Sequence, residues 1–409
     1  MADAQRIMDR SNELAAISAD PEHLVRVHLS KEHKAANELV ASWMEEAGLS
    51  TWQDAAGNQC GRLEGREPGL PALLLGSHID TVPDAGRYDG MLGVLLAIEV
   101  ARRLRDRASE LPFALELVAF SDEEGTRFGN ALMGSRALSG QWDDDWWNLR
   151  DEDGISLAEA FVDFGLDPAR LPGAFRRPEQ FVGYLEAHIE QGPWLEDAGK
   201  ALGVVTSIAG ARRFELTMVG KAGHAGGSPY DRRRDALVGA SELVVEIERI
   251  SKERRVIGTV GKMEVFPGGV NVIPGRVEFS LDLRAEFDDD RDDALRLIWD
   301  AAREIAARRR LEFHHEELYR ADATVCDLDL RAAVETGIRA TGDDEPMSMW
   351  SRAGHDGMAV VAVTPIAMLF LRCKGGVSHH PDESVRAADV AAALDAYEAA
   401  VLALAAARP

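Results

Sequence analysis

Ala72-Leu73-Leu74-Leu75-Gly76-Ser77-His78-Ile79-Asp80-Thr81-Val82-Pro83 reads as a buried strand that runs into a polar turn. Its short apolar run ends at a glycine, with no alternation to mark a solvent-facing side. Met91 to Leu104 starts apolar and becomes charged, the pattern of a helix that begins after the Asp89-Gly90 turn. Phe113 to Phe120 alternates, then turns apolar before Ser121, which predicts a second buried strand. Strands alternating with helices predict an α/β core whose working residues lie at the C-terminal ends of the strands. On this reading His78, Asp80 and the pair Glu123-Glu124 all fall just past such ends.

Farther along, residues 141–180 are rich in Trp, Asp, Arg and Pro, with Trp142, Trp146 and Trp147 close together. They predict an excursion of short helices that covers core or an interface. From about residue 210 the pattern changes. Strands are expected at Arg212 to Val219, Gly258 to Phe266, Arg276 to Arg284 and Leu311 to Tyr319, and helices at Arg234 to Ile250 and Asp289 to Arg308. That β-α-β-β-α-β order suits a ferredoxin-like α+β unit. Apolar α/β-type segments resume near residue 328, Met358 to Leu371 reading as buried strands, and an Ala-rich helix closes the chain over 387–407. The simplest organisation is a catalytic domain in two segments, 1–209 and 327–409, interrupted by an inserted domain at 210–326.

A chain of 409 residues exceeds a typical single core, in keeping with two domains. The net charge of −24 argues against nucleic acid or an anionic membrane as a partner, since both reward clustered Lys and Arg. Cys60, Cys326 and Cys373 are too few and too scattered for a disulfide framework or a cysteine zinc site, which suits a reducing cytoplasm. The N-terminus has no apolar signal region, and Met358 to Leu371 is too short to span a bilayer.

The polar residues at the strand ends suggest metal chemistry. A His-x-Asp at 78–80, an Asp-Gly at 89–90 and a Glu pair after an apolar strand are what a carboxylate-bridged two-metal hydrolase needs. Histidines bind metal as neutral imidazoles, one Asp can bridge two ions, and one Glu can bind while its neighbour takes a proton from water. The candidate ligands are His78, Asp89, Glu124, His188 in Ala-His-Ile-Glu-Gln-Gly (187–192) and His379 in Val-Ser-His-His-Pro (377–381). No Gly-x-Ser-x-Gly elbow and no His-Glu-x-x-His pair occurs, which disfavours a serine hydrolase and excludes a zincin of that type.

In these motifs the chain resembles the peptidase M20 family, most of all its amidase branch of N-carbamoyl-L-amino-acid hydrolases, allantoate and ureidoglycolate amidohydrolases and β-ureidopropionases. The matching stretches are Gly76 to Pro83, Tyr88-Asp89-Gly90, Ser121 to Phe128, Met133 to Arg136, His188 to Gly192, Gly223 to Gly226, Asn271 to Pro274, Gly354-His355-Asp356 and Ser378-His379. His-Ile-Glu-Gln-Gly is specific to that branch. The resemblance implies a mixed-sheet metallohydrolase catalytic domain with an inserted ferredoxin-like dimerisation and lid domain. It makes Asp89 the bridging ligand, with His78 and His188 on one ion and Glu124 and His379 on the other. Glu123 is then the general base, and Asp80 orients His78.

The resemblance also gives His224 a role in stabilising the reacting carbonyl, often from the partner subunit, and gives Asn271 and Arg284 the substrate carboxylate. An arginine's planar fork suits a carboxylate, although an arginine ending a strand is also an ordinary place for a surface ion pair. Gln191 is the expected ureido contact, since an amide both donates and accepts. The expected substrate is a small ureido carboxylate, an N-carbamoyl-L-amino acid or allantoate. Ureidoglycolate, an N-acyl amino acid and a dipeptide are the alternatives, and His188 with Gln191 argues against the last two. Imidazole and carboxylate ligands suit two divalent ions per subunit, Zn, Mn, Co or Ni. A homodimer through the inserted domain follows, with hinges near 206–212 and 324–330. The chain departs from the family pattern at Ala285, Arg352, Gly227 to Tyr230 and His380; Arg352 and Tyr230 bear on substrate identity, and His380 is an alternative to His379 as the ligand.

Overall fold

The computed structural model describes residues 1–408. The chain forms two compact units: Met1–Thr206 with Cys326–Met349 and Ala353–Pro409, and Ser207–Val325 with Trp350–Arg352.

In the first unit the larger sheet has at its centre Ala114–Phe120, Ala72–His78, Phe181–Ile189 and Ile366–Leu371, in that order and mutually parallel. Antiparallel strands flank them, Gln59–Leu63 and then Ser50–Gln53 on one side and Leu202–Ile208 on the other. The central strands are covered on both faces, so they read as continuous apolar runs. Gly76 sits opposite Val118, and a Cβ there would lie 1.9 Å from the Val118 carbonyl, so only glycine allows this spacing. Because the four strands share one direction, their C-terminal ends deliver His78, Ser121 to Glu124, His188 and the 372–379 segment to one edge.

Helix Met91–Leu104 begins where the sequence places it, and its side chains are buried almost throughout. Arg26, fully buried, donates to the carbonyls of Leu14, Ile17 and Ile79, while its own N–H bonds Thr81 Oγ1. These bonds pin the turn that follows His78.

Two details of this unit differ from the sequence reading. His78 is the last residue of its strand and does not lie beyond it. The apolar stretch Met358 to Leu371 contains one strand only: Gly357–Val360 is a helical turn, and the strand Ile366–Leu371 starts just after Pro365, which has no N–H to give a ladder. The Trp-rich excursion has one α-helix, Leu157–Phe164, closed by a Ser156–Glu159 capping box. Trp142 and Trp147 pack on Phe161 of that helix, so the aromatic cluster is a small core of its own.

The second unit holds an antiparallel sheet in the order Met263–Phe266, Arg276–Ala285, Gly210–Val219, Glu312–Ala321. Helices Ala236–Arg254 and Asp288–Arg309 bury Leu243, Ile247, Ile250, Leu295 and Ile298 against Phe214, Leu216, Phe279 and Leu281. The alternating burial of Arg276–Ala285 is that of a sheet with one covered face. The single strand expected over Gly258 to Phe266 is split into Ile257–Thr259 and Met263–Phe266, both paired with Arg276–Ala285. The break falls where the N–H groups of Gly261 and Lys262 turn to the Ser280 hydroxyl. Among the described residues no helix is long and apolar enough to cross a membrane.

Candidate active site

All five sequence-named ligand positions converge at the C-terminal edge of the central strands. Asp89 lies in a turn closed by the Met91 N–H on its carbonyl at 2.6 Å, with Gly90 at φ 64° and ψ −56°. This is a γ-turn of the rare positive-φ kind. A Cβ on Gly90 would stand 2.5 Å from the His78 ring, so the glycine also makes room for that imidazole.

The two carboxylate oxygens of Asp89 face different partners. Oδ1 lies 3.2 Å from His188 Nε2 and 3.7 Å from His78 Nε2, while Oδ2 lies 3.1 Å from His379 Nε2. His379 Nε2 is in turn 3.4 Å from Glu124 Oε1. Around Asp89 the side chains thus form two overlapping groups, His78-Asp89-His188 and Asp89-Glu124-His379, and His78-Glu123-Glu124 and Glu186-His188-His355 form two more, the ligand atoms of each lying within 4.8 Å of one another. His379 has a backbone φ of 55°, a costly conformation for a non-glycine residue that its surroundings must enforce. His380, its neighbour, accepts the Asp382 N–H on Nδ1 at 3.1 Å.

Hydrogen bonding fixes the chemistry of these rings. His78 Nδ1 is 3.1 Å from the Asp80 carbonyl, and His188 Nδ1 is 2.8 Å from the Ile189 carbonyl. A carbonyl only accepts, so each Nδ1 carries the hydrogen and, in the neutral ring, each Nε2 presents a lone pair. Both Nε2 atoms face Asp89 Oδ1, a buried acceptor with no hydrogen-bond partner, and His188 Nε2 also accepts the Gly90 N–H at 3.3 Å. Acceptors facing an acceptor require a proton or a cation between them.

The charge balance points the same way. Asp80, Asp89, Asp122, Glu186, Asp356 and Glu383 are all buried here, and Glu123 and Glu124 partly so. Burial acts to raise the Asp89 carboxyl, yet the facing His188, His379 and His78 rings hold it well below the usual carboxylate range. Glu123 is pushed well up by burial and by the charges of Glu124, Asp356 and Asp80, against the opposing pull of His78. Burial and Asp89 raise Glu124 to about 7. His379 is raised to about 9, by Asp89 above all. So dense a pocket of buried carboxylates and imidazoles fits divalent cations, which would take the place of protons between them.

Asp80 does more than the sequence reading gave it. Its carboxylate lies 3.3 Å from His78 Nδ1, and it also accepts the backbone N–H groups of Glu123 at 2.9 Å and Glu124 at 3.1 Å. Gln191 reaches the same place, its Nε2 donating to Asp89 Oδ2 at 2.8 Å while its buried Oε1 has no partner.

The second unit holds the other three named residues. His224 and Asn271 are neighbours in a short hairpin, where His224 pairs with Val272 and the Ala225 N–H meets the Asn271 carbonyl at 2.9 Å. Arg284 is on the larger sheet of that unit. Its Nε and Nη2 hold Asp282 at 2.8 and 3.2 Å, and its Nη1 bonds the Arg352 carbonyl at 2.9 Å.

Comparison with known proteins matches residues 74–403 to the model of Peptidase family M20/M25/M40. The chain belongs to the M20 family. An N-carbamoyl-L-amino acid amidohydrolase of Geobacillus stearothermophilus is 41% identical over 385 residues, 94% of each chain. An allantoate deiminase of Arabidopsis thaliana is 39% identical over 415 residues, covering 94% of this chain and 79% of the relative. Among solved structures, an amidase of the hydantoinase/carbamoylase family from Burkholderia multivorans superposes with a TM-score of 0.90 at 34% identity, covering 98% of this chain and 97% of its own. This M20 protein is therefore a hydrolase of the amidohydrolase kind, in a family of metal-dependent enzymes.

Several residues of this M20 site had no role assigned from the sequence, although Asp122 and Asp356 stand inside matched motifs. Asp122, Glu186 and Asp356 are buried beside it, each with a carboxylate oxygen lacking a partner. Glu383 lies under the Asp89 turn. The only signal for Glu186 was a charge inside an otherwise apolar strand, and Glu383 gave none beyond lying shortly after Ser378-His379.

Proposed function

We propose that the chain is a two-metal amidohydrolase that cleaves the carbamoyl C–N bond of a small ureido carboxylate, an N-carbamoyl-L-amino acid or allantoate. The observation that carries this reading is Asp89, whose two oxygens face two separate sets of ligand-type side chains. His78, His188 and Asp89 would hold one divalent ion, and Asp89, Glu124 and His379 the other, with Zn, Mn, Co and Ni all suited to such donors. Bound there, the ions would polarise the substrate carbonyl and make an attacking water more acidic.

The chain's own residues do the rest. Glu123, raised by burial and by neighbouring carboxylates, takes the proton of the attacking water and returns it to the leaving nitrogen. Asp80 fixes Glu123 through the backbone, so the base does not drift from the strand end. Gln191 offers a buried amide oxygen to a ureido N–H, after its Nε2 gives up Asp89. His224 stabilises the reacting carbonyl, and Asn271 with Arg284 takes the substrate carboxylate. For Arg284 this means exchanging Asp282 for the substrate. The relatives that act on N-carbamoyl-L-amino acids and on allantoate support the substrate class.

The second unit is read as the dimerisation and lid domain. Its edge strand Glu312–Ala321 is exposed along nearly its whole length, as an edge open to pairing would be. Light scattering after size exclusion should give twice the 44.6 kDa chain mass, and a monomer at micromolar concentration would end the homodimer reading.

Ammonia release decides the substrate. Protein stripped of metal and reloaded with Mn or Zn is offered allantoate, ureidoglycolate and several N-carbamoyl-L-amino acids, with Glu123→Ala as control. Turnover of a ureido compound that is lost in the variant supports the proposal. Silence on all of them, with turnover of an N-acyl amino acid or dipeptide, replaces it by the acylase or peptidase reading.

A further inference from the structure

Ser378 and Glu383 tie together two loops almost three hundred residues apart in sequence. Glu383 is 3% exposed. Its Oε1 accepts the N–H groups of Tyr88 at 2.8 Å and Asp89 at 3.1 Å. Its Oε2 is 2.9 Å from Ser378 Oγ, which lies 2.7 Å from Asp89 Oδ2. One carboxylate therefore grips the backbone of the Asp89 turn, and the Ser378 hydroxyl stands between it and the Asp89 side chain, its single hydrogen serving one carboxylate at a time. Ser378 immediately precedes His379, so the same clamp sets where that ring stands.

Gly86 shows that this placement is built in. A Cβ there would fall 2.2 Å from Glu383 Cδ, 2.3 Å from Oε1 and 2.4 Å from Cβ. Gly86 leaves an open slot beside the turn, and the Glu383 side chain fills it. Neither residue is among the ligand-type groups around Asp89, and Asp89 Oδ1 stays free of this network.

We propose that Glu383 is a positioning residue that sets the orientation of Asp89, and through Ser378 the His379 loop, for metal binding. The inference rests on reading Asp89 and His379 as ligands. Fixing a ligating carboxylate through an outer partner is worth about 10- to 100-fold in metal affinity in known sites. Glu383→Ala removes all three bonds. Glu383→Gln keeps an acceptor for the two N–H groups and a polar end for Ser378. Gly86→Ala leaves the glutamate in the chain but drives it from its slot.

The test is Mn²⁺ affinity of stripped protein by calorimetry, with the melting temperature of the stripped form measured beside it. Glu383→Ala and Gly86→Ala should bind at least about tenfold more weakly, with the stripped proteins melting near the wild type. Glu383→Gln should recover most of the affinity. Wild-type affinity in Glu383→Ala, or a lowered melting temperature with affinity intact, overturns the proposal. Asp89→Ala serves as reference: if it keeps metal, the ligand reading and this inference fall together. If it loses metal while Glu383→Ala does not, this inference alone falls.

Discussion

The carboxylate of Asp80 accepts the backbone N–H of Glu123 at 2.9 Å. Its other oxygen takes Glu124, so one buried side chain orients both glutamates while its own backbone carbonyl orients His78. Asp80→Asn keeps the shape but presents an NH₂ to one of those N–H groups, donor against donor. We expect kcat to fall about 10- to 100-fold with little change in KM, as steady-state ammonia release would show.

Glu123 and Glu124 are adjacent but should respond differently. Glu123→Gln is expected to retain wild-type metal content by elemental analysis while kcat falls about 10²- to 10⁴-fold, the range for a lost general base. Glu124→Gln should lose metal as well as rate. Equal metal loss in both variants would contradict the division of roles.

Gly90 combines a positive φ with a ring packed where its Cβ would be. Gly90→Ala should therefore displace His78 or open the γ-turn, at a cost of about 1–3 kcal/mol for the strained backbone alone. Chemical denaturation and metal titration should both register it.

His28 and His33 predict a pH dependence of stability away from the ligands. Both rings are buried: burial lowers His28 to about 4 and His33 to about 3. Unfolded, each would titrate at about 6.5. Between those values the unfolded chain binds the extra proton, so their contribution is complete above about pH 6.5 and is lost as pH falls, by about 1.4 kcal/mol per unit for each ring. His28→Gln removes one such ring. The stability gap between wild type and variant should narrow from pH 7 to pH 4.5 in denaturant titrations, and a constant gap would refute the assignment.

Much of the core was legible because parallel strands covered on both faces must be apolar throughout. Met91–Leu104 and the start of Ala72–His78 were read for that reason, although the strand runs on through Gly76 to His78, past the apolar run that ends at Leu75. Met358 to Leu371 misled because an apolar run does not tell a buried helical turn from a buried strand. The ligand-type residues stood out through the company they keep: His78, Glu124 and His188 each follow or end an apolar strand. What holds them was not legible. The bonds of Asp80 to the Glu123 and Glu124 backbone and of Glu383 to the Asp89 turn join distant segments, and nothing local in the sequence marks a carboxylate that accepts backbone N–H groups. Gln191 was read as a substrate contact, and its bond to Asp89 Oδ2 depends on a left-handed backbone at φ 57° that composition does not announce.

Asp89 is proposed to bridge a pair of ions that ureido cleavage requires. The direct measurement is titration of metal-stripped protein with Mn²⁺ while ammonia release from the accepted ureido substrate is followed. Activity should be absent without metal, rise to a plateau at two equivalents per chain, and not rise in Asp89→Ala. Full activity in the stripped protein, or saturation unaffected by the loss of Asp89, would contradict the proposal.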